Sequence, residues 1–365
     1  MRVGIDAHMV GGQETGNETY IKGLIGGLHG GHDDLELVVF HAGEPWKKPS
    51  PGLRFRRLST GNPFVRLGIE LPLRSLSERL DILHMTYAAP AWSAARVVLT
   101  VHDICFASHP EWFSPRDVRV LSTVVPRSLR QAAHVIAVSK FVRADIIDRY
   151  GVLENRISAI PNAPGPGADP IGIDEARHLL ANLGLNLQRP YLLAVGNLQP
   201  RKNLVRLMEA FMKLVTERGH DLELVIAGPR HFRAEDVVQA SGTMAARIHF
   251  TGYVSDRQLA ACYSQCAVFV FPSLYEGFGI PAIEAMAHGV PVASSNGGAL
   301  PEICGNAALM FDPQSVPAIT EAVDRILRQD GLRRQLIGAG RTRAAEFSWT
   351  RTAALTREVY EKASA

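Results

Sequence analysis

Hydrophobic positions along the chain fall into short apolar runs rather than strict alternation. Val3 to Ile5, Leu35 to Phe40, Ile82 to His84, Val97 to Val101 and Val135 to Val138 mark the first half. Tyr191 to Gly196, Leu222 to Ala227, Ile248 to Phe250 and Ala267 to Phe271 mark the second. Runs of this length predict strands buried on both faces, as in parallel sheets covered by helices. Between them lie stretches with helical patterning: Glu18 to Ile25, Ser114 to Gln131 (interrupted by Pro126), Phe141 to Tyr150 behind a Ser139 cap, and Leu204 to Glu217. Further on come Ala282 to His288, entered through Pro281 and ended by Gly289, then Ser315 to Arg328, Gly331 to Glu346 and Trp349 to Ala363. Strand and helix in alternation predict α/β architecture with Rossmann-like parallel sheets.

The chain has 365 residues, more than one core comfortably holds. Five of the eight residues from Ala163 to Pro170 are Pro or Gly, marking an interdomain connection. The expected division is 1–165, 166–348 and a terminal helical segment 349–365. Composition is ordinary for a globular protein, 46% hydrophobic and 21% charged, and the net charge of +3 is too mild to argue for nucleic acid. Local charge says more. Eight Lys or Arg lie between Lys47 and Arg79 against Glu70 and Glu78, while Arg116, Arg119, Arg127 and Arg130 share one helical stripe. This is either a surface for anionic lipid headgroups or a lipid-diphosphate acceptor, or a solvated face. The four cysteines form no CxxC pair and read as small buried hydrophobes in a reduced, cytosolic compartment. The N-terminus runs directly into a strand, so no signal peptide is expected, and no apolar run reaches membrane-spanning length.

Candidate chemistry concentrates between Phe271 and Glu302. Glu276 lies in a glycine-bearing loop after a buried strand, and Glu284 in the first turns of the following helix. Unpaired N–H groups at that helix start would point into the same crevice. Hydroxyl-accepting carboxylates beside anion-binding donors suit a ligand with polyol and phosphate parts, such as a nucleotide sugar. The alternative is a loop Glu and a helix Glu with no shared role. Arg201 and Lys202, at a helix entrance after a strand and Gly196, suit a diphosphate or are solvated surface. Gly11, Gly12 and Gly16 permit close phosphate approach or form an ordinary βα turn. His102, followed by Asp103, stands at a strand's carboxyl end, as a ligand group or as a structural histidine.

Glu276 and Glu284, separated by seven residues that include Gly277-Phe278-Gly279 and Pro281, resemble the donor-binding motif of the retaining glycosyltransferases of family 4. The likeness extends over essentially the whole chain and is strongest from residue 191 to 312. It implies the GT-B arrangement, two Rossmann-like domains with parallel sheets facing a central cleft. The first would bind acceptor and the second donor, with the terminal helix crossing back to the first. By the same resemblance, His102 and Glu276 are the catalytic positions, contacting the donor sugar together with Phe278, Gly279 and Ile280. Glu284 would hold the ribose, Arg201, Lys202 and Gly16 the diphosphate, and Tyr253 and Val254 the base. The chain departs from many relatives in having Asn197 where they carry Arg, and Glu18-Thr19 ahead of Tyr20. The implied activity is retaining, metal-independent hexosyl transfer from a nucleotide-diphosphate sugar, with no cofactor and no Asp-x-Asp motif. Analogy favours mannose from GDP-mannose, passed to a saccharide or lipid-linked acceptor. The expected location is the cytoplasm, with peripheral contact at the inner face of an anionic membrane. Rival readings are a nucleotide-sugar epimerase of the same architecture and a non-catalytic sugar-nucleotide-binding protein.

Overall fold

The computed structural model describes residues 1–12, 15–31, 35–185 and 188–364. Gln13 and Glu14 of the glycine-bearing loop, and Ala365 of the terminal segment, lie outside the described residues. The chain divides into two compact units, Met1–Ala163 with Ser348–Ala365, and Pro164–Phe347.

The first unit is built on β1 (Arg2–Asp6), β2 (Glu36–His41), β3 (Leu53–Arg57), β4 (Ile82–Thr86), β5 (Arg96–Val101), β6 (His134–Ala137) and β7 (Ile157–Ala159). They pair in parallel in the order β3-β2-β1-β4-β5-β6-β7, with Ile5 opposite His84. The second unit carries β8 (Tyr191–Val195), β9 (Glu223–Ala227), β10 (Ile248–Gly252), β11 (Val268–Phe271), β12 (Val292–Ser295) and β13 (Ala308–Phe311), also parallel, in the order β10-β9-β8-β11-β12-β13. Every residue of β4, β9, β11 and β12 is buried, because helices cover both sheet faces and leave the strands no polar side. In each sheet the strand order reverses direction once, between β1 and β4 and between β8 and β11. Loops leaving the carboxyl ends of two such strands diverge and open a crevice between them.

The terminal helix Trp349–Ser364 belongs to the first unit, against the helix Thr15–Gly31. Two glycines permit the approach. A Cβ on Gly23 would fall 2.1 Å from the Trp349 ring, and one on Gly27 would fall 2.4 Å from the Trp349 carbonyl oxygen. The same helix satisfies a buried polar cluster. His84 Nδ1 is 2.5 Å from the Tyr360 hydroxyl and its Nε2 is 2.8 Å from Thr100 Oγ1, which also bonds the Tyr20 hydroxyl at 2.8 Å. Burial pushes the His84 imidazole down to about 3, so it packs as a neutral ring.

Two features differ from the sequence expectations, and a third has no counterpart among them. The helix Pro115–Gln131 runs through Pro126 without interruption; the carbonyl deprived of a partner belongs to exposed Ser122, where water can replace the lost bond. The helix Thr15–Gly31 starts earlier than Glu18, so Gly16 is an exposed residue of its first turn rather than of a loop. Residues Pro63–Ser77 form a continuous helical rod of α, π and α turns that inward amphipathicity does not announce. All four cysteines are free, three of them buried. Among the described residues, no helix is long and apolar enough to cross a membrane.

The glycine contacts predict opposite outcomes for two substitutions on one helix. Gly23→Val drives a side chain into the Trp349 ring and should lower unfolding stability by about 1–3 kcal/mol. Gly26→Ala, which meets nothing within 4 Å, should raise it by about 0.5–1 kcal/mol. Denaturant unfolding followed by tryptophan fluorescence measures both, and equal effects would contradict the packing.

Candidate active site

The loops that follow β8 and β11 meet where the second sheet reverses. After β8 the chain turns at Gly196 (φ 148°), over which the Lys202 side chain lies. A Cβ on Gly196 would fall 2.8 Å from Lys202 Cε. The short turn Pro200–Lys202 ends on Asn203 in the left-handed region (φ 56°), a conformation Asn tolerates better than most residues. Asn203 Nδ2 donates to the carbonyls of Pro272 (3.0 Å) and Pro313 (2.7 Å), and Leu274 N donates to the Arg201 carbonyl at 2.8 Å. The two loops are thereby stitched together, and their charged side chains converge.

Glu276 is the centre of that convergence. Its Oε1 accepts from Lys202 Nζ at 2.6 Å and its Oε2 from Arg201 Nη1 at 3.1 Å. Arg201 Nη1 also donates to the Tyr275 carbonyl at 3.2 Å, and Lys202 Nζ lies 5.3 Å from the Phe271 ring centroid. Both Glu276 and Lys202 are buried. Burial alone would raise the carboxyl, but the Lys202 and Arg201 charges, with their hydrogen bonds, hold it down at about 2. Two cations thus face one carboxylate where little side-chain surface is exposed. On the other side, Gly298 (φ 61°) supports the Glu276 backbone: a Cβ there would lie 2.4 Å from the Glu276 carbonyl oxygen, which accepts from Ala299 N at 2.8 Å.

Glu284, on the helix Ile280–Ala287, is buried among different partners. Oε1 accepts from Gly165 N at 3.0 Å and Oε2 from the Tyr263 hydroxyl at 3.1 Å. Among the described residues no ion pair compensates it. Burial therefore dominates and pushes the carboxyl up to about 7, despite the two hydrogen bonds. One helical turn on, His288 Nε2 bonds the Gly167 carbonyl at 2.8 Å, so the ring nitrogen must be the donor. Tyr263, Gly165 and Gly167 did not stand out in the sequence. The one available signal was that a buried tyrosine hydroxyl needs an acceptor.

The remaining expected residues divide between the two units. Phe278 is buried edge-on against Phe347, with ring centroids 5.6 Å apart, so its side chain is a packing element. Gly279 (φ 108°) precedes the helix, where a Cβ would strike Leu300 at 2.7 Å, and Ile280 is buried in the first turn. Tyr253 and Val254 follow β10, the outermost strand of the sheet, and Tyr253 is exposed. In the first unit, His102 follows β5, one strand beyond the β1/β4 reversal. Its ring stands edge-on to Tyr20 at 4.8 Å, and its buried Nε2 has no hydrogen-bond partner among the described residues. Burial pushes this imidazole down to about 4, so it is neutral at physiological pH. Asp103 Oδ1 accepts from Cys105 N at 3.1 Å and so supports the turn that follows.

Residues 177–343 match the family described as "Glycosyl transferases group 1", and residues 15–163 the one described as "Glycosyltransferase Family 4". The chain is 34% identical over 268 residues to the O-antigen chain mannosyltransferase B of Escherichia coli, a match covering 73% of this chain and 70% of that one. It is 30% identical over 236 residues to the serotype-specific mannosyltransferase WbdA of Escherichia coli, covering 64% of this chain but 29% of that longer protein. A solved sucrose-phosphate synthase from Thermosynechococcus elongatus aligns with a TM-score of 0.76 at 23% identity, covering 99% of this chain and 98% of that one. That structural likeness establishes the fold, two parallel-sheet α/β domains of the GT-B type. The chain belongs to the group 1, family 4 glycosyltransferases and is a hexosyltransferase.

The Glu284 environment predicts a pH dependence. Its folded value of about 7 lies above the ordinary 4.5, so the native state holds the proton more tightly than the unfolded chain. This contribution is fully favourable below about pH 4.5 and is lost as pH rises through about 7. Glu276, with its depressed value, acts in the opposite sense and only below about pH 4.5. The melting temperature of the wild type should therefore carry a downward component between about pH 5 and about pH 8 that Glu284→Gln removes. Identical profiles for the two proteins would contradict a protonatable, buried Glu284.

Proposed function

We propose that this hexosyltransferase takes mannose from GDP-mannose and transfers it, with retention and without a metal ion, to a saccharide or lipid-linked saccharide. The observation that carries the reading is Glu276 held between Arg201 and Lys202 where the second sheet reverses. A diphosphate leaving group needs its developing charge stabilised, and preorganised cations in a water-poor site do this at no reorganisation cost. Arg201 and Lys202 take that charge. Glu276, kept ionised, accepts donor-sugar hydroxyls and favours positive charge at the anomeric carbon. Glu284 anchors the ribose, and His102 is the sugar-contacting group on the first unit. The backbone from Phe278 to Ile280 lies beside the sugar, Gly16 near the phosphates, and Tyr253 and Val254 beside the base.

The chemical step is written as a front-face displacement. The acceptor oxygen forms a bond to the anomeric carbon on the side from which the diphosphate leaves. The carbon–oxygen bond to the phosphate breaks, its electron pair goes to the phosphate oxygen, and the acceptor's hydroxyl proton passes to the departing diphosphate. No carboxylate is assigned as nucleophile. The identity of the sugar leans on the two mannosyltransferase relatives, and a bacterial polysaccharide acceptor on the O-antigen relative. The reading places the enzyme in the cytoplasm, in peripheral contact with the inner face of an anionic membrane.

GDP-mannose should raise the melting temperature of the wild type, by the equivalent of about 2.7 kcal/mol at a hundredfold excess over Kd, whereas UDP-glucose and ADP-glucose should not. Glu284→Ala should abolish the shift, and Lys202→Ala should lower kcat by about 10²–10³. A chelator should leave turnover unchanged. A different stabilising donor would replace the mannose assignment, and a covalent glycosyl adduct on Glu276 would overturn the front-face step.

A further inference from the structure

The helical rod Pro63–Ser77 departs from an ordinary surface helix. Its inner face buries Leu71 and Pro72, but its remaining inward side chains are polar. Arg66 is buried with Nε 3.8 Å from Asp6, Glu70 accepts from the backbone and hydroxyl of Ser59 at 2.8 and 2.9 Å, and Ser75 Oγ accepts from Ala94 N at 3.1 Å. Its outer face is apolar: Phe64 is 84% exposed, Ile69 57%, Leu73 53% and Leu76 60%. The five-residue step from Phe64 to Ile69 crosses the π turn Arg66–Glu70, whose wider winding brings the two towards one face. Isolated exposed hydrophobes need no explanation, but a contiguous row does.

The row continues across neighbouring elements. Ala91 N donates to the Leu67 carbonyl at 2.9 Å, which places exposed Trp92 beside the rod. The same loop is tied to the helix Pro115–Gln131, through Ala89 N to Ser128 Oγ at 2.9 Å and Gln131 Nε2 to the Pro90 carbonyl at 2.9 Å. That helix presents Arg116, Arg119, Arg127 and Arg130 to solvent, with exposed Val120 in the same stripe. Seven of the twelve large hydrophobic side chains exposed among the described residues lie on this one surface. Within the rod Arg66 pairs with Asp6 and Arg74 with Glu70, which leaves exposed Arg79 beside the rod and the four exposed arginines of the helix against Glu78 and Asp117. Glu78 is itself paired with Arg56 at 2.6 Å, so Asp117 is the one acid of the two elements set against those arginines among the described residues.

From this arrangement we infer that the rod Pro63–Ser77 lies in the interface of an anionic phospholipid bilayer. Phe64, Ile69, Leu73 and Leu76 enter the acyl boundary, Trp92 sits at headgroup level, and the arginine helix lies over lipid phosphates. The choice of a bilayer over a protein rests on charge. An excess of exposed arginines borders the apolar row instead of being excluded from it, as at an interfacial amphipathic helix, and an indole stands at its margin. The inference gives residues to the membrane contact in the functional reading, but it uses none of the donor-site groups, so the two can fail separately.

Flotation of the full chain with two kinds of vesicle tests it, pure phosphatidylcholine and phosphatidylcholine with about 30% phosphatidylglycerol. The wild type should float with the anionic vesicles, less so as salt rises, and poorly with the neutral ones. The triple variant Phe64→Ser, Ile69→Ser, Leu73→Ser should lose at least about tenfold in partitioning, because burying even one such side chain is worth that much. Its melting temperature and its nucleotide-sugar shift should be unchanged. Arg116→Gln with Arg119→Gln and Arg127→Gln should lose the preference for anionic vesicles. A wild type that does not float overturns the inference. So does a triple variant that floats normally but loses a concentration-dependent dimer in sedimentation, which would assign the face to a second copy. Absence of a donor shift alongside normal flotation would instead count against the functional reading alone.

Discussion

A carboxylate taken out of water remains ionised only if fixed positive charge comes with it, and in the second unit that requirement organises the site. Glu276 needs both Arg201 and Lys202, and they come from a loop more than seventy residues earlier. Bringing them together requires β8 and β11 to be neighbours, which the sheet order provides at its single reversal. It also requires the two loops to hold their course. Asn203 bonds the carbonyls of Pro272 and Pro313, and Gly298 leaves room for the Glu276 backbone. Fold, turn chemistry and charge pairing are thus one constraint seen at three scales.

Glu284 shows the opposite solution. It is as buried as Glu276 but receives only neutral donors, from Gly165 and Tyr263, and so hovers between protonation states near neutrality. Gly165 follows directly on the point where the chain leaves the first unit, and His288 grips the same stretch at Gly167. The helix that carries Glu284 therefore also fixes the first residues of the second unit.

Much of the architecture was legible because parallel strands buried on both faces leave unbroken apolar runs, and those from Val97 and Ala267 are plain in the chain. The candidate site was legible as residue types, since Glu276, Glu284 and the Arg201-Lys202 pair stand beside glycine turns after such runs. What could not be read were pairings between distant segments. Nothing near His84 says that a tyrosine 276 residues later will bond it, and nothing near Glu284 names Gly165. The rod Pro63–Ser77 escaped for another reason: Phe64, Ile69, Leu73 and Leu76 face solvent while Arg66 and Glu70 are buried beside Leu71, which blurs the pattern by which amphipathic helices are recognised. Pro126 misled because its helix has water available where the bond is missing.

The loop after Gly196 holds one further polar group, Asn197, whose Oδ1 is buried without a hydrogen-bond partner among the described residues. The helix Leu204–Thr216 begins at the same loop, and its N-cap Asn203 does not cap it by side chain, because Nδ2 is committed to Pro272 and Pro313 and Oδ1 accepts from Arg206 at 2.9 Å. The first-turn amides and the dipole of that helix therefore act at the loop that carries Arg201 and Lys202, and both favour an anion. The geometry fixed at Asn203 thus sets a helix dipole beside the two cations of the same loop, and each of the three favours negative charge there.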